Sequence, residues 1–270
     1  MATEVKQVTD PAILVFDLTK DKLIKKYDLP SNVLKDTSML TSITVETVGG
    51  QCGTDAFAYI TDMGSNAVIV YSMKNDDAWR VQNHYFHFDP HAGVYSVGQI
   101  DFYWSDGVSS ATLSRPNKDG YCTLYLHPTS SNKLFSMSTK LLRHKDAPQE
   151  DIFNGVEIVG DRGPKSQATA CAIDPSTNVM FYTQVSKNGL GCWNMNKQFN
   201  PENTPLILSD CNLMEFPNDV KVDKEGNLWI LSDKQSRFLY DTMDFNTVNF
   251  RVLTAPTSTL IKGTSCEGVR

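Results

Sequence analysis

Short runs of β-branched and aromatic residues, broken by Asp, Asn, Gly and Pro, follow one another along the chain from about residue 12, and helical periodicity is almost absent. Two of these runs repeat. Ala172 to Thr183 lies over Lys221 to Ser232 at an offset of 49 residues. In each, a strand ends on an Asp (Asp174, Asp223), a tight turn follows, and an Asn (Asn178, Asn227) opens an apolar strand. A second signature of strand, polar turn and strand runs over Ile13 to Tyr27, over Ala67 to Val81 and over Arg237 to Val252. Together the two halves predict four four-stranded units at about 38–86, 108–160, 168–209 and 218–253, with 12–28 supplying the outer two strands of a fifth.

Antiparallel units repeating at about this period are what propeller blades give, whereas a β-sandwich requires no strand–turn–strand signature at a fixed offset. The expected fold class is therefore all-β, a β-propeller, with an N-terminal tail at 1–11 and a single partial propeller domain at 12–267. A propeller removes its sheet edges by closing a ring, and four units plus the outer half of another leave an edge open. We expect the front of the ring to lie outside this sequence, and the chain alone to be unstable or to aggregate through that edge.

Composition fits a globular protein: of 270 residues, 40% are hydrophobic and 21% charged. The formal net charge of −6 argues against a nucleic-acid partner, which wants a basic face. No run reaches the roughly 18 apolar residues of a membrane span, so no membrane partner is expected. The six cysteines, Cys52, Cys122, Cys171, Cys192, Cys211 and Cys266, form no CxxC, which sets aside zinc-ribbon and thioredoxin chemistry. An even number spread through a β-rich chain suggests an oxidising, extracellular compartment, with the pairing open among 15 connectivities. Met1 to Gln7 contains no apolar signal-peptide core, and neither Asn203-Thr204 nor Asn246-Thr247 forms a glycosylation sequon.

The hairpin of the last unit offers the best candidate chemistry. With its turn at Asp223 to Gly226, antiparallel pairing sets residue 218 near 231–232 and residue 216 near 233. Phe216, Asn218, Asp233 and Gln235 then converge at the end away from the turn. An aromatic wall, an amide and a carboxylate suit an aromatic ammonium ligand, the ring stacking while the cation meets Asp233. In the plainer alternative Asp233 caps a turn and Phe216 belongs to the core. For proton-transfer chemistry, Asp233 and Asp219 are the nearby bases.

Other groups carry less. His84, His87 and His91 with Asp89 suggest a metal, but on a strand 84 and 87 would face opposite ways, and no metal or cofactor is expected. Asp101, Trp104 and Asp106 precede an inner strand and could line the mouth of a central channel, turn capping being their commoner role. Arg162 and Gln167 lead into another inner strand in the same way. No GxSxG supports a hydrolase, and Gly160-Asp-Arg-Gly163 is a turn with no phosphate-loop GK[ST] after it.

An ordered set of segments resembles the insect yellow / major royal jelly protein family. These are Phe57-Ala-Tyr-Ile-Thr-Asp62, Ala67-Val-Ile-Val-Tyr-Ser72, Phe88-Asp-Pro-His-Ala-Gly93, Gly191-Cys-Trp-Asn194, Phe216 to Asp223, Gly226 to Asp233, Asn249 to Leu253 and Gly263-Thr-Ser-Cys266. The resemblance implies a secreted, disulfide-containing, six-bladed propeller with a central tunnel, in a family whose members extend further at the N-terminus. It also implies a choice of roles: cuticle pigmentation, in some members linked to dopachrome conversion in the melanin pathway; a nutritive role; or the binding of serotonin-like amines by salivary members. In the salivary branch the positions matching 216, 218, 233 and 235 carry Phe, Thr, Asn and Phe and hold the amine, and this chain keeps only Phe216. The expected function is thus binding of a catechol- or indole-type molecule, such as dopamine or dopachrome, in the tunnel, in connection with cuticle pigmentation. Salivary-type serotonin binding and a nutritive or structural role without a ligand are the alternatives, and tautomerase activity on dopachrome is the enzymatic form of the same reading.

Overall fold

The computed structural model describes residues 7–50 and 55–268. Strands β1 (Ala12–Asp17) and β2 (Lys22–Asp28) pair as an isolated hairpin, and β3 (Leu40–Thr47), β4 (Ala56–Asp62), β5 (Ala67–Ser72) and β6 (Asp77–Gln82) form the first four-stranded meander. A second hairpin, β7 (Val94–Val97) and β8 (Ile100–Tyr103), comes before the second meander of β9 (Val108–Leu113), β10 (Thr123–Pro128), β11 (Lys133–Ser138) and β12 (Val156–Asp161). Two short helices, α1 (Thr139–Leu142) and α2 (Gln149–Asn154), fill the connection from β11 to β12. The third meander is β13 (Cys171–Asp174), β14 (Val179–Gln184), β15 (Gly189–Asn194) and β16 (Leu206–Ser209). The last sheet is β17 (Pro217–Val222), β18 (Asn227–Ser232) and β19 (Arg251–Pro256), with α3 (Gln235–Tyr240) between β18 and β19 and α4 (Thr257–Ile261) after it. The first strands of the three meanders and of the last sheet, or the residues just ahead of them, face a common cavity, and these four sheets stand around it as propeller blades.

Burial follows this arrangement. Middle strands lie between neighbouring blades on both faces, so β5, β14 and β15 are buried at every position and read as continuous apolar runs. The outer strands β2 and β12 have one wet face and alternate or turn polar. Tyr59, Val70 and Trp79 pack against Leu124, Phe135 and Met137 between the first and second blades, and Leu134 packs with Met180, Tyr182 and Trp193 between the second and third. The repeated Asp-turn signature has a local cause. Asp174 accepts from Ser176 N at 2.8 Å while Asn178 takes a φ of 54°; Asp223 accepts from Asn227 N at 2.8 Å while Gly226 takes a φ of 81°.

Threonines stitch the inner strands together. Thr41 and Thr61 both donate to the Ser109 carbonyl, at 2.8 and 2.9 Å; Ser109 Oγ donates to the Thr169 carbonyl at 3.2 Å; and Thr169 Oγ1 donates to the Pro217 carbonyl at 2.9 Å. The chain of bonds runs from β3 through β9 and the start of β13 to β17, each ending on a backbone carbonyl of the next blade. A disulfide joins Cys192 on β15 to Cys266 beyond α4. Cys122 and Cys171 are buried thiols and Cys211 an exposed one, while Cys52 lies outside the described residues.

Three local expectations are corrected. The last sheet has three strands where four were expected, because Arg237 to Tyr240 winds into α3 instead of extending. Its tertiary partners decide this: Arg237 reaches back to Glu215, Ser236 is buried, and Tyr240 turns toward the cavity, while Phe238 is left exposed. The β7–β8 hairpin was not foreseen. His84 and His91 sit in single 3₁₀ turns, not on a strand, and all three imidazoles of that segment are exposed.

Candidate functional site

A cavity of about 810 Å³ opens where the inner strands begin. Because every blade is a meander starting at its inner strand, the residues just before or at the head of each inner strand gather at one end: Met39 ahead of β3, Asp106 ahead of β9, Thr169 ahead of β13 and Asn218 at the head of β17. Gln235, Leu239 and Tyr240 reach the same space from α3, where 235 and 239 share a helix face. The volume is in the range of small-molecule sites, and the wall mixes apolar and aromatic side chains with a few polar ones.

The aromatic part is a cluster of five rings. The β7–β8 hairpin contributes Tyr95 and Phe102, stacked at 5.0 Å between centroids; Trp104 lies against Phe102 at 4.9 Å; Tyr240 stacks on Phe102 at 5.1 Å; and Phe216 meets Trp104 edge-on at 5.6 Å. Trp104 Nε1 donates to the Tyr240 hydroxyl at 2.5 Å. Trp104 and Tyr240 face the cavity and the other three rings support them from behind. Gly98 and Gln99 take φ values of 60° and 67° in the two-residue turn of the hairpin, where a Cβ on Gly98 would come within 2.2 Å of Glu215. Arg237 closes this contact, donating to Glu215 Oε1 at 2.5 Å and to the Gly98 carbonyl at 3.1 Å. The hairpin is thereby pinned to the last blade, and the rings it carries are held at the mouth.

The residues singled out in the sequence fall into two layers. Asn218 and Gln235 line the cavity, as does Asp219. Asp233 stands next to them: its carboxylate accepts from Asn218 Nδ2 at 2.6 Å and from Gln235 N at 3.2 Å. Asp233 N donates to the Phe216 carbonyl at 3.3 Å, so the pairing of 216 with 233 read from the hairpin is present. Burial holds the Asp233 pKa above its ordinary value, partly offset by those two hydrogen bonds. Phe216 is fully buried behind Trp104 with a φ of 57°, an uncommon backbone state for a large side chain. Asp219 accepts from Lys221 Nζ at 2.6 Å at the cavity's edge.

Asp106 is different. Its backbone carbonyl accepts from Ser130 N at 3.1 Å, but its carboxylate has no hydrogen-bond or ion-pair partner among the described residues and faces the cavity. Burial alone pushes its pKa up. Of the two other residues grouped with it, Trp104 lines the mouth and Asp101 is exposed on β8. Arg162 and Gln167 turn inward to backbone carbonyls, Arg162 to Ser131 and Ser166 and Gln167 to Ala92 and Val94, and lie away from the cavity. The strand pattern over 237–252 gives Tyr240 no place at the mouth; that place depends on α3. No group of three or more His, Cys, Asp or Glu suited to a metal forms among the described residues.

The sequence profile of the family described as "Major royal jelly protein" matches residues 1–266. "L-dopachrome tautomerase yellow-f" of Drosophila melanogaster is 34% identical over 263 residues, covering 97% of this chain and 61% of its own length. "Protein yellow" of Drosophila yakuba is 35% identical over 258 residues, covering 95% of this chain and 47% of its own length, and "Protein yellow" of Drosophila melanogaster is 34% identical over the same span. The chain therefore spans about half to three-fifths of the relatives it matches.

Proposed function

The chain belongs to the major royal jelly protein family, and from that membership and the chemistry of its cavity we propose that it binds a catechol- or indole-type aromatic small molecule, as a secreted yellow-type protein connected with cuticle pigmentation. The observation that carries this reading is the juxtaposition of the paired rings Trp104 and Tyr240 with Asp106, Asn218 and Gln235 around one cavity of about 810 Å³. The rings supply a stacking surface, and the amides and the carboxylate meet hydroxyl, carbonyl or ammonium groups on the ligand's rim. Asn218 and Gln235 touch the ligand, Asp233 orients Asn218, and Phe216 fixes Trp104 from behind. The relative named for L-dopachrome supports a ligand of this class, and the disulfide supports an oxidising compartment.

Calorimetric titration of the full chain with dopamine, L-dopachrome and serotonin tests the reading. Saturable heat with the catechol and dopachrome ligands, with affinity weakened roughly five- to tenfold in Trp104→Ala, is the expected result. No heat from any of them at millimolar concentration would refute binding.

A further inference from the structure

The relative's name raises tautomerase chemistry, and such chemistry needs a base that faces the ligand. Two nearby carboxylates are occupied: Asp233 by Asn218 and the Gln235 backbone, Asp219 by Lys221. We propose that Asp106 is the catalytic base of this cavity, its carboxylate taking a C–H proton from a cyclised, quinonoid catechol of the dopachrome class. The assignment rests on the binding reading above.

Three observations carry it. Asp106 sits on the cavity wall two residues ahead of inner strand β9, on a segment fixed at both sides, by Ser130 N on its own carbonyl and by Trp104 packed in the aromatic cluster. Its carboxylate is unpartnered among the described residues, so both oxygens are available to a ligand. Trp104, two residues before Asp106, and Tyr240 line the same cavity as Asp106. Burial also holds the carboxyl's pKa above the ordinary range, the direction that makes a carboxylate a stronger base.

The reaction balances without an added oxidant or reductant. Asp106 removes a proton from a saturated carbon of the five-membered ring, the C–H electron pair moves into the conjugated system, and a quinone oxygen takes up a proton from water. Each shift breaks one C–H bond and makes one O–H bond. Two shifts convert the quinone into an aromatic dihydroxyindole, and Asp106 returns its proton to water after each.

The test follows L-dopachrome loss by stopped flow with the full chain and with Asp106→Asn, Asp106→Glu and Asp233→Asn, alongside titration of each with 4-methylcatechol, which has no ammonium for Asp106 to attract. Expected are acceleration by the intact protein, a fall of about 100-fold or more in kcat for Asp106→Asn with 4-methylcatechol still bound and its affinity changed far less than kcat, and partial recovery in Asp106→Glu. Retained 4-methylcatechol binding shows that the variant is folded around its site. Equal turnover by Asp106→Asn and the intact chain overturns the assignment, as does loss confined to Asp233→Asn. An intact chain that binds 4-methylcatechol but does not accelerate dopachrome loss also overturns it and leaves the binding reading standing. Absence of binding by the intact chain removes that reading, and the assignment falls with it.

Discussion

The indole nitrogen of Trp104 donates to the hydroxyl of Tyr240 at 2.5 Å, joining the loop ahead of β9 to the end of α3 across 136 residues of sequence. The bond sets the two cavity-facing rings relative to each other, and it allows their contributions to be separated. Tyr240→Phe keeps the ring and removes only the acceptor, so it should cost about 0.5–1 kcal/mol of stability and change dopamine affinity little. Trp104→Ala removes the stacking surface itself and should weaken dopamine binding by about 1 kcal/mol or more, roughly five- to tenfold, by calorimetry. Equal affinity losses in the two variants would place the ligand away from these rings.

Asp106 should also leave a mark on stability. Burial raises its pKa above the ordinary value of 3.8, so the folded state holds the proton more tightly than the unfolded state. The stabilisation is complete below pH 3.8 and is lost as pH rises through that value and on through the folded pKa. At pH 7 the buried charge therefore opposes folding, and Asp106→Asn should melt at a higher temperature than the intact protein. The gap should close on acidification below about pH 4. The charged groups sharing this wall are Asp219 and Lys221, and both are retained in the variant. A lower melting temperature for Asp106→Asn at neutral pH would contradict this account.

The blades were legible because their cause is local. Asp174 with Asn178, and Asp223 with Gly226, build their turns from residues within four positions of one another, and the alternation or continuity of apolar residues records which strands are covered on both faces. The convergence of Asn218, Asp233 and Gln235 was legible for the same reason, since a hairpin's register follows from its turn. What stayed hidden depends on distant partners. The helix at Gln235–Tyr240 exists because Arg237 meets Glu215 and Gly98, the latter 139 residues away, and nothing in Arg-Phe-Leu-Tyr announces it. For Asp106 the sequence offered a place at the channel mouth or, more commonly, a turn cap, and its position on the cavity wall with no carboxylate partner among the described residues selects the first.

Glu46 on β3 gives a second acid-sensitive site, with the opposite sign. It is 3% exposed and accepts from Tyr59 Oη at 2.6 Å, Thr139 Oγ1 at 2.9 Å, Cys122 N at 3.1 Å and Arg143 Nε at 3.0 Å, which ties the first blade to the second. Burial is the largest single influence and works to raise its pKa, but the hydrogen bonds led by Arg143 together outweigh it and hold the carboxyl below its ordinary value of 4.5. The stability this contributes is fully present above pH 4.5 and is lost as pH falls through the lowered folded value. Arg143→Ala strands the buried carboxylate and should cost about 3–5 kcal/mol in a denaturant melt at pH 7, with the loss shrinking once Glu46 is protonated. A penalty that persists undiminished in acid would show that the guanidinium acts through its packing over Phe57 and Tyr121 instead of through the ion pair.

The Cys192–Cys266 bridge closes a separation of 74 residues, tying the segment after α4 to the middle of the third blade. In the chain-entropy account a loop of that length removes about 4 kcal/mol of disorder from the unfolded state. Reduction, or the Cys192→Ser/Cys266→Ser pair, should therefore lower the denaturation midpoint by a corresponding amount. Two short contacts hold the same corner without the bridge: Lys197 Nζ donates to the Ser265 carbonyl at 2.6 Å and Asn194 Nδ2 to the Cys266 carbonyl at 3.3 Å. The native fold should therefore persist on reduction with a lower midpoint. Thiol labelling checks the state of the rest: burial pushes Cys122 up to about 12 and Cys171 up to about 11, so neither presents a thiolate at neutral pH. Exposed Cys211 should react with iodoacetamide in the folded protein, and Cys122 and Cys171 only after unfolding, with Cys192 and Cys266 joining them when reductant is added. Labelling of Cys192 or Cys266 in the folded protein without reductant would mean the bridge is open, and the stability difference between the intact chain and the double serine variant should then vanish.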